Sequence, residues 1–240
     1  MRRLAGANEL LDGQLEPRTL RANLRDLARV NRFLGGAELS WKALEPLLRA
    51  HEGAEPLRLL DVGTGAADIP LALLRRAATA GLSLDILATD VRPEIVQATV
   101  SRMAEAGSSS LRVELASHER IDEPDRSFDV VHASLVLHHL DPAPAAAQLR
   151  EMARVSNGAV IVNDLDRGWT WWAGAWLLAH ALTANHYTRH DAPLSVRRAY
   201  LSDEVTEMAR GAGLREVARY RALPPYRYAL VFAVDARPND

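Results

Sequence analysis

The feature that most constrains this chain is the run Leu59-Leu60-Asp61-Val62-Gly63-Thr64-Gly65-Ala66-Ala67-Asp68-Ile69-Pro70. A short apolar run feeds an acid and two closely spaced glycines, and an apolar helical segment follows from Ile69 to Leu74. Strand, tight turn and helix in that order open an α/β nucleotide-type fold. Gly63 and Gly65 permit backbone angles and a close ligand approach that a Cβ would obstruct. Asp68 occupies the position of the third glycine in a G-x-G-x-x-G dinucleotide fingerprint. A carboxylate there would repel a pyrophosphate seated on the helix N-terminus. The acid ahead of the glycines suits a cationic group instead. The implied ligand carries positive charge and no phosphate, which argues against a nicotinamide-dependent dehydrogenase.

From Leu57 onward, strand-like runs alternate with helical ones, which predicts a mainly parallel sheet. Strands are expected at about 58–62, 83–89, 112–115, 127–133 and 159–163, with helices over about 67–80, after Pro93 and after Pro142. The alternation breaks between Leu165 and Tyr200, a segment read as a helical cap inserted after strand five. It resumes with a helix capped by Ser202 or Asp203 and stopped by Gly211 or Gly213. Two strands near 215–221 and 227–234, joined through Pro224-Pro225, are close enough to favour an antiparallel pair at the sheet edge. Ahead of the first strand, Leu20, Leu24, Leu27 and Val30 at helical spacing predict a helix over 16–34, stopped by Gly35-Gly36. A second helix is expected over about 39–50. The expected organisation is a helical extension over 1–56 and an α/β domain over 57–240 that carries the insertion at 165–200.

A length of 240 residues suffices for one such domain, burying about 70–75% of its unfolded surface. The net charge of −2, with acids and bases interspersed, gives no electrostatic case for a nucleic-acid partner. The absence of cysteine excludes disulfides, a thiol nucleophile and thiolate zinc sites. No other set of ligands at metal-binding spacing is evident, so no metal is expected. Met1-Arg2-Arg3 leads into polar residues, unlike a signal peptide. The longest apolar stretch, Trp169 to Ala184, is interrupted by His180 and falls short of the ~20 residues a spanning helix requires. A cytoplasmic location without a transmembrane segment is therefore expected, and a homodimer stays open. That stretch holds four of the five tryptophans, Trp169, Trp171, Trp172 and Trp176. It reads first as a buried or lid-like helix, then as an oligomer contact, then as a membrane-surface contact.

Asp61, Gly63 and Gly65, with Ala67 in place of a third glycine, resemble motif I of class I S-adenosylmethionine-dependent methyltransferases: an acid, any residue, then G-x-G-x-G. The resemblance implies a Rossmann-like sheet of seven strands, mainly parallel with an antiparallel terminal strand, and S-adenosylmethionine as cofactor. Asp90 ends the second apolar strand, 25 residues beyond Gly65. An acid there can accept both hydroxyls of an adenosine ribose, which is the role of the family's ribose-binding acid. Val91 would pack on the adenine, and Asp61 would lie beneath the turn and orient the cofactor's amino-acid end. Thr64 in the loop and Ser134 at the end of strand four complete the expected cofactor contacts. Asp68 either caps its helix or faces the cofactor's positive groups. Where many relatives place an acid after strand three, this chain has Ala116-Ser117-His118, which leaves Ser117 or a backbone carbonyl to reach the adenine.

Phe128-Asp129-Val130-Val131, leading to Leu137-His138-His139-Leu140, is similar to the family's F-D-x-V strand and L-H-H-L turn. His138 or His139 could take a proton from a hydroxyl at neutral pH. Three further runs resemble a bacterial subgroup found beside type III polyketide synthases. They are N-D-L-x-R from Asn163, R-H-D-x-P-L-S-V-x-R-A from Arg189, and L-R-D-L-x-R-V-N-R-x-L-G-G from Leu24. His190 beside Asp191 is either an oriented base or part of a salt-bridged loop. The tryptophans could wall a flat aromatic acceptor. The function expected is methyl transfer to a phenolic or polyketide-like hydroxyl on a hydrophobic small molecule. Carbon or nitrogen acceptors, and a catalytically silent S-adenosylmethionine-binding accessory protein, are the alternatives.

Overall fold

The computed structural model describes residues 1–7, 9–10, 13, 35–106, 110–117, 120–183 and 185–235. The helix expected over 16–34 and His118 lie outside the described residues. The apolar runs assemble into one sheet of seven strands in the order β3-β2-β1-β4-β5-β7-β6. These are β1 (Leu57–Val62), β2 (Leu84–Asp90), β3 (Leu111–Leu115), β4 (Phe128–Ser134), β5 (Ser156–Leu165), β6 (Leu214–Arg221) and β7 (Arg227–Val234). Parallel pairing joins β1 through β5, and β7 runs antiparallel between β5 and β6. β5 is longer than the expected 159–163 because it also takes in Ser156 and Asp164, which are polar and buried. Their polarity is absorbed by hydrogen bonds, such as Ser156 Oγ to the Ala159 carbonyl at 2.9 Å, and no hydropathy window detects that.

Seven helices follow among the described residues: α1 (Gly36–Ala50), α2 (Asp68–Thr79), α3 (Pro93–Ala106), α4 (Pro142–Val155), α5 (Trp169–Leu182), α6 (His186–Arg198) and α7 (Ser202–Arg210). Alternation along β1 sorts the two faces. Leu57 and Leu59 pack with Leu39 and Leu44 of α1 and Leu73 of α2. Leu60 packs with Leu149 of α4 and Val205 of α7. A parallel sheet buried on both faces needs helices on both, and α1 supplies part of one layer.

Three local expectations fail. Ser202 is the first residue of α7 rather than its cap, because Arg219 and Arg221 of β6 donate to its Oγ at 3.0 and 2.8 Å. The Glu204 carboxylate instead reaches back to accept from the Leu201 N–H at 2.8 Å. The run containing His190 and Asp191, read as a loop when paired, is helical within α6. Of the buried and lid-like readings of the tryptophan-rich α5, the buried one fails: Trp169 is 64% and Leu177 61% exposed, and of its described side chains only Ala179 is buried. An apolar helix can bury only the sides that meet a neighbour, and α5 packs chiefly on α6. No helix among the described residues is long and apolar enough to cross a membrane.

Candidate active site

The connection order reverses between β1 and β4, and ligands of open α/β sheets bind outside the carboxyl ends of the strands at that point. The turn after β1 lies there. Gly63, Gly65 and Ala67 all take left-handed backbone angles, with φ of 68°, 54° and 51°. The motif's third position thus keeps the glycine conformation with a Cβ on it, at a cost of about 1–2 kcal/mol. Leu135, just after β4, is left-handed too (φ 58°). Strain of this kind gathers where a fold holds a binding site in shape. The two glycines differ in surroundings. A Cβ on Gly63 would stand 2.6 Å from Val136 Cγ2, whereas one on Gly65 would meet nothing within 4 Å. Gly63 therefore serves packing, whereas Gly65 has open space where its Cβ would stand.

Hydrogen bonds tie the turn to its neighbours. Thr64 N–H donates to the Thr89 carbonyl at 2.9 Å, and Thr99 Oγ1 donates to the Gly65 carbonyl at 2.8 Å. Thr64 Oγ1 is buried without a hydrogen-bond partner among the described residues. Asp90, at the end of β2, accepts from the Gly65 N–H at 3.0 Å and from the Arg92 N–H at 3.1 Å. Burial pushes the Asp90 carboxyl above its ordinary pKa, against those two hydrogen bonds. Each oxygen has one amide partner and a second lone pair, so capacity for two hydroxyls remains.

The structure thus brings Asp61, Gly63, Thr64, Gly65 and Asp90 to one turn, with Val91 half-buried beside it. Ser117 is exposed two residues beyond β3. Asp68 opens α2, where a negative charge suits the helix dipole, but Ala67 holds the cap position. Ser134 Oγ accepts from Arg227 Nη2 at 2.7 Å.

Beneath the turn runs a buried chain of donors. Arg227 Nε donates to Asn163 Oδ1 at 2.6 Å, and Asn163 Nδ2 donates to Ser40 Oγ at 2.7 Å. Ser40 Oγ lies 2.8 Å from His132 Nε2, and His132 Nδ1 lies 2.6 Å from Asp61 Oδ1. The Asp61 carboxylate can only accept, so its hydrogen bond with His132 places a proton on Nδ1. The chain links a guanidinium in β7 to the carboxylate in β1 through α1, β4 and β5. Burial pulls the Arg227 pKa down to about 10.

A second cluster gathers after β4, in the 3-10 turn Leu137–His139. His138 Nδ1 lies 2.7 Å from Asp164 Oδ1, and the His138 N–H donates to Asp164 Oδ2 at 3.2 Å. Burial works to raise the Asp164 carboxyl, but the His138 imidazole and its hydrogen bond outweigh it and hold the pKa below the ordinary range. His138 Nε2 is 3.7 Å from Glu9 Oε1, and His139 Nδ1 is 3.9 Å from Glu9 Oε2. Ser195 Oγ donates to Glu9 Oε1 at 2.7 Å. Arg198 clamps the turn from outside, donating to the carbonyls of His138 and His139. His190 is exposed on α6, with Nδ1 2.8 Å from Asp191 Oδ1. His138 and His139 therefore meet at Glu9, while His190 pairs with Asp191, which holds the Leu10 N–H beside Glu9.

The first residues of the chain cross this region. Leu4 N–H donates to the Arg197 carbonyl at 2.9 Å, and Leu10 N–H donates to Asp191 Oδ1 at 2.9 Å. Arg92 Nη2, beside Asp90, donates to the Gly13 carbonyl at 3.1 Å. The segment touches both the histidine turn and the neighbourhood of Asp90. No local pattern announces Glu9. His132 does leave a signal, an ionisable residue in an apolar strand and the register partner of Asp61.

Residues 59–158 match a family model described as a methyltransferase domain. No curated protein matches the chain. The fold is similar to a SAM-dependent methyltransferase from Aquifex aeolicus, at 17% identity and a TM-score of 0.65, covering 92% of this chain and 100% of that one. It is also similar to an O-methyltransferase family 2 protein from Planctomyces limnophilus, solved in complex with apigenin. That match has 18% identity and a TM-score of 0.68 over 93% of this chain and 63% of that one. A third is magnesium protoporphyrin IX methyltransferase from Synechocystis with bound SAH, at 14% identity, a TM-score of 0.58, and coverage of 94% and 90%. At these identities the three likenesses establish the fold.

Proposed function

We propose that the chain is a class I methyltransferase that takes S-adenosylmethionine and transfers the cofactor's methyl group to a hydroxyl of a hydrophobic, phenolic or polyketide-like small molecule. The methyltransferase-domain match over residues 59–158 supports it. The observation that carries this reading is the pairing of the open Gly65 and Asp90 with the His138 turn. Both lie at the carboxyl edge of neighbouring strands, and they are joined through Val136, which packs on Gly63. The sulfonium carbon is electrophilic by itself, so the protein's task is to align it with a nucleophile and exclude water. Asp90 holds the ribose hydroxyls, Val91 lies along the adenine, and Asp61 with Thr64 orients the amino-acid end. Ser117 and Ser134 flank these contacts, and Asp68 adds negative charge at the start of α2. The acceptor hydroxyl stands against Glu9, His138 and His139, which lower the cost of removing its proton, with His190 on the outer side. Trp171, half-buried and edge-on to Tyr226 with ring centroids 6.3 Å apart, walls the acceptor together with Trp172. The neighbour solved in complex with apigenin is in keeping with such an acceptor.

Titration calorimetry with S-adenosylhomocysteine, beside NADH as a control, tests the donor half. S-adenosylhomocysteine alone is expected to bind. Asp90→Ala should weaken it by about 1–3 kcal/mol, which is roughly 5- to 150-fold. Affinity should be full where Asp90 is ionised and fall on acidification. The fall sets in at a higher pH than for an exposed carboxylate, because burial raises this pKa. Unchanged affinity in the variant overturns the assignment. For the acceptor half, replacing Trp171 and Trp172 together by alanine should raise the KM for phenolic acceptors by about tenfold, with S-adenosylhomocysteine affinity kept within about twofold. Equal losses in both would make these rings structural. The exposed apolar side of α5 favours a second reading, a silent S-adenosylmethionine-binding accessory protein. Tight cofactor binding without product across a broad phenol panel would select it.

A further inference from the structure

We infer that Glu9, His138 and His139 form a binding site for a divalent cation of the zinc type. Ligand atoms of three residues from two distant parts of the chain, Glu9, His138 and His139, lie within 4.8 Å of one another, with His138 Nε2 facing Glu9 Oε1 and His139 Nδ1 facing Glu9 Oε2. The two carboxylate-to-nitrogen separations, 3.7 and 3.9 Å, are too long for hydrogen bonds. They lie a few tenths of an ångström above the spacing between ligands of one tetrahedral ion, about 3.3–3.6 Å for bonds of ~2.0–2.2 Å.

The surrounding groups orient these atoms as metal sites do. Asp164 accepts from His138 Nδ1, which leaves Nε2, the ring nitrogen facing Glu9, as the atom that would ligate once unprotonated. A carboxylate behind a ligating histidine fixes its tautomer and raises its basicity. Ser195 donates to Glu9 Oε1 and holds the carboxylate in place. Glu9 is 6% and His138 3% exposed, and a carboxylate so far from water is costly unless it is paired or coordinates a cation. Among the described residues, Glu9 and Asp164 both face the turn, and Arg198 beside it directs its Nε and Nη2 to the turn's carbonyls.

The donor set names the ion class. Two imidazoles and one carboxylate suit zinc, cobalt or iron rather than magnesium or calcium, which take mainly oxygen. Three protein ligands leave a fourth position open, the arrangement of a catalytic rather than a structural site. The use of that position rests on the methyl-transfer reading: an acceptor hydroxyl entering it would become more acidic and give its proton to solvent water. Its oxygen would then bond the methyl carbon as the S–CH3 bond breaks and S-adenosylhomocysteine leaves. Cation binding itself does not depend on that reading.

The full chain, stripped with a chelator and titrated with Co²⁺, should bind one equivalent with the intense visible absorption of a four-coordinate ion. Zn²⁺ should displace it. Glu9→Gln and His139→Ala, chosen because His139 is partly exposed, should each weaken Co²⁺ binding by about tenfold or more. Both should keep the S-adenosylhomocysteine affinity of the metal-free protein, which shows that they fold. Absence of the absorption, or an unchanged spectrum in both variants, overturns the site. S-adenosylhomocysteine binding without Co²⁺ absorption retires the cation and leaves the methyl-transfer reading standing. Co²⁺ binding that both variants weaken, in a protein that does not bind S-adenosylhomocysteine, does the reverse.

Discussion

Replacing His132 by alanine is expected to lower the unfolding free energy by roughly 3–5 kcal/mol. His132 sits in the interior of β4 as the register partner of Asp61 in β1. Its Nδ1–H donates to a carboxylate that is 3% exposed. Removing the ring leaves that carboxylate buried without the donor, takes one hydrogen-bond partner from Ser40 Oγ, and opens space in the α1 face of the core. At about 2–4 °C per kcal/mol for a chain of this size, the thermal midpoint should fall by roughly 6–20 °C. Urea unfolding beside a thermal scan measures both quantities. A loss below about 1 kcal/mol would show that the pair contributes little. Asp61→Asn, alone and combined with His132→Ala, completes a double-mutant cycle. If the damage is the stranded charge, the double variant loses less than the sum of the single ones.

Gly63→Ala is the second large effect, and Gly65→Ala is its control. Both positions have positive φ, so each alanine carries a backbone cost of about 1–2 kcal/mol. The Gly63 methyl would also meet Val136 Cγ2 at 2.6 Å, on a β-branched side chain with little rotamer freedom. Overpacking of this kind adds about 1–3 kcal/mol, so Gly63→Ala should destabilise by roughly 2–5 kcal/mol. Gly65→Ala should cost stability less, since its methyl meets open space, and should cost S-adenosylhomocysteine affinity more than stability. Thermal unfolding and calorimetry on the pair separate the two roles. Equal stability losses would remove the packing explanation for Gly63. Ala67, left-handed at φ 51°, shows that the turn tolerates one alanine where space allows.

These residues differ in how far they could be read in advance. The glycine turn, the acid at Asp90 and the order of strands and helices were legible because each rests on a pattern a few residues long. The match to the methyltransferase domain falls on the same stretch, residues 59–158. The terminal pair was legible too, because a short connection forbids a parallel crossover. Ser202 and α5 misled for a shared reason. A hydroxyl at a helix start and a run of tryptophans each have a preferred partner, but which partner arrives is set elsewhere. Arginines of β6 reached Ser202, and little of the chain described here reached the outer side of α5.

The sequence by itself determined the layered α/β fold, the left-handed turn after the first strand, and the charge of the ligand it suits. Periodicity of two or 3.6 and the angles open to glycine are local physics, written residue by residue. Only the tertiary structure decided that Asp61 would rest on His132, that Arg227 would end a chain of hydrogen bonds begun across the sheet, and that Glu9 would meet the histidines after β4. Those pairings depend on strand register and on the path of segments distant in the chain. A buried charge takes whichever partner the packing brings within reach, because leaving it alone costs several kcal/mol.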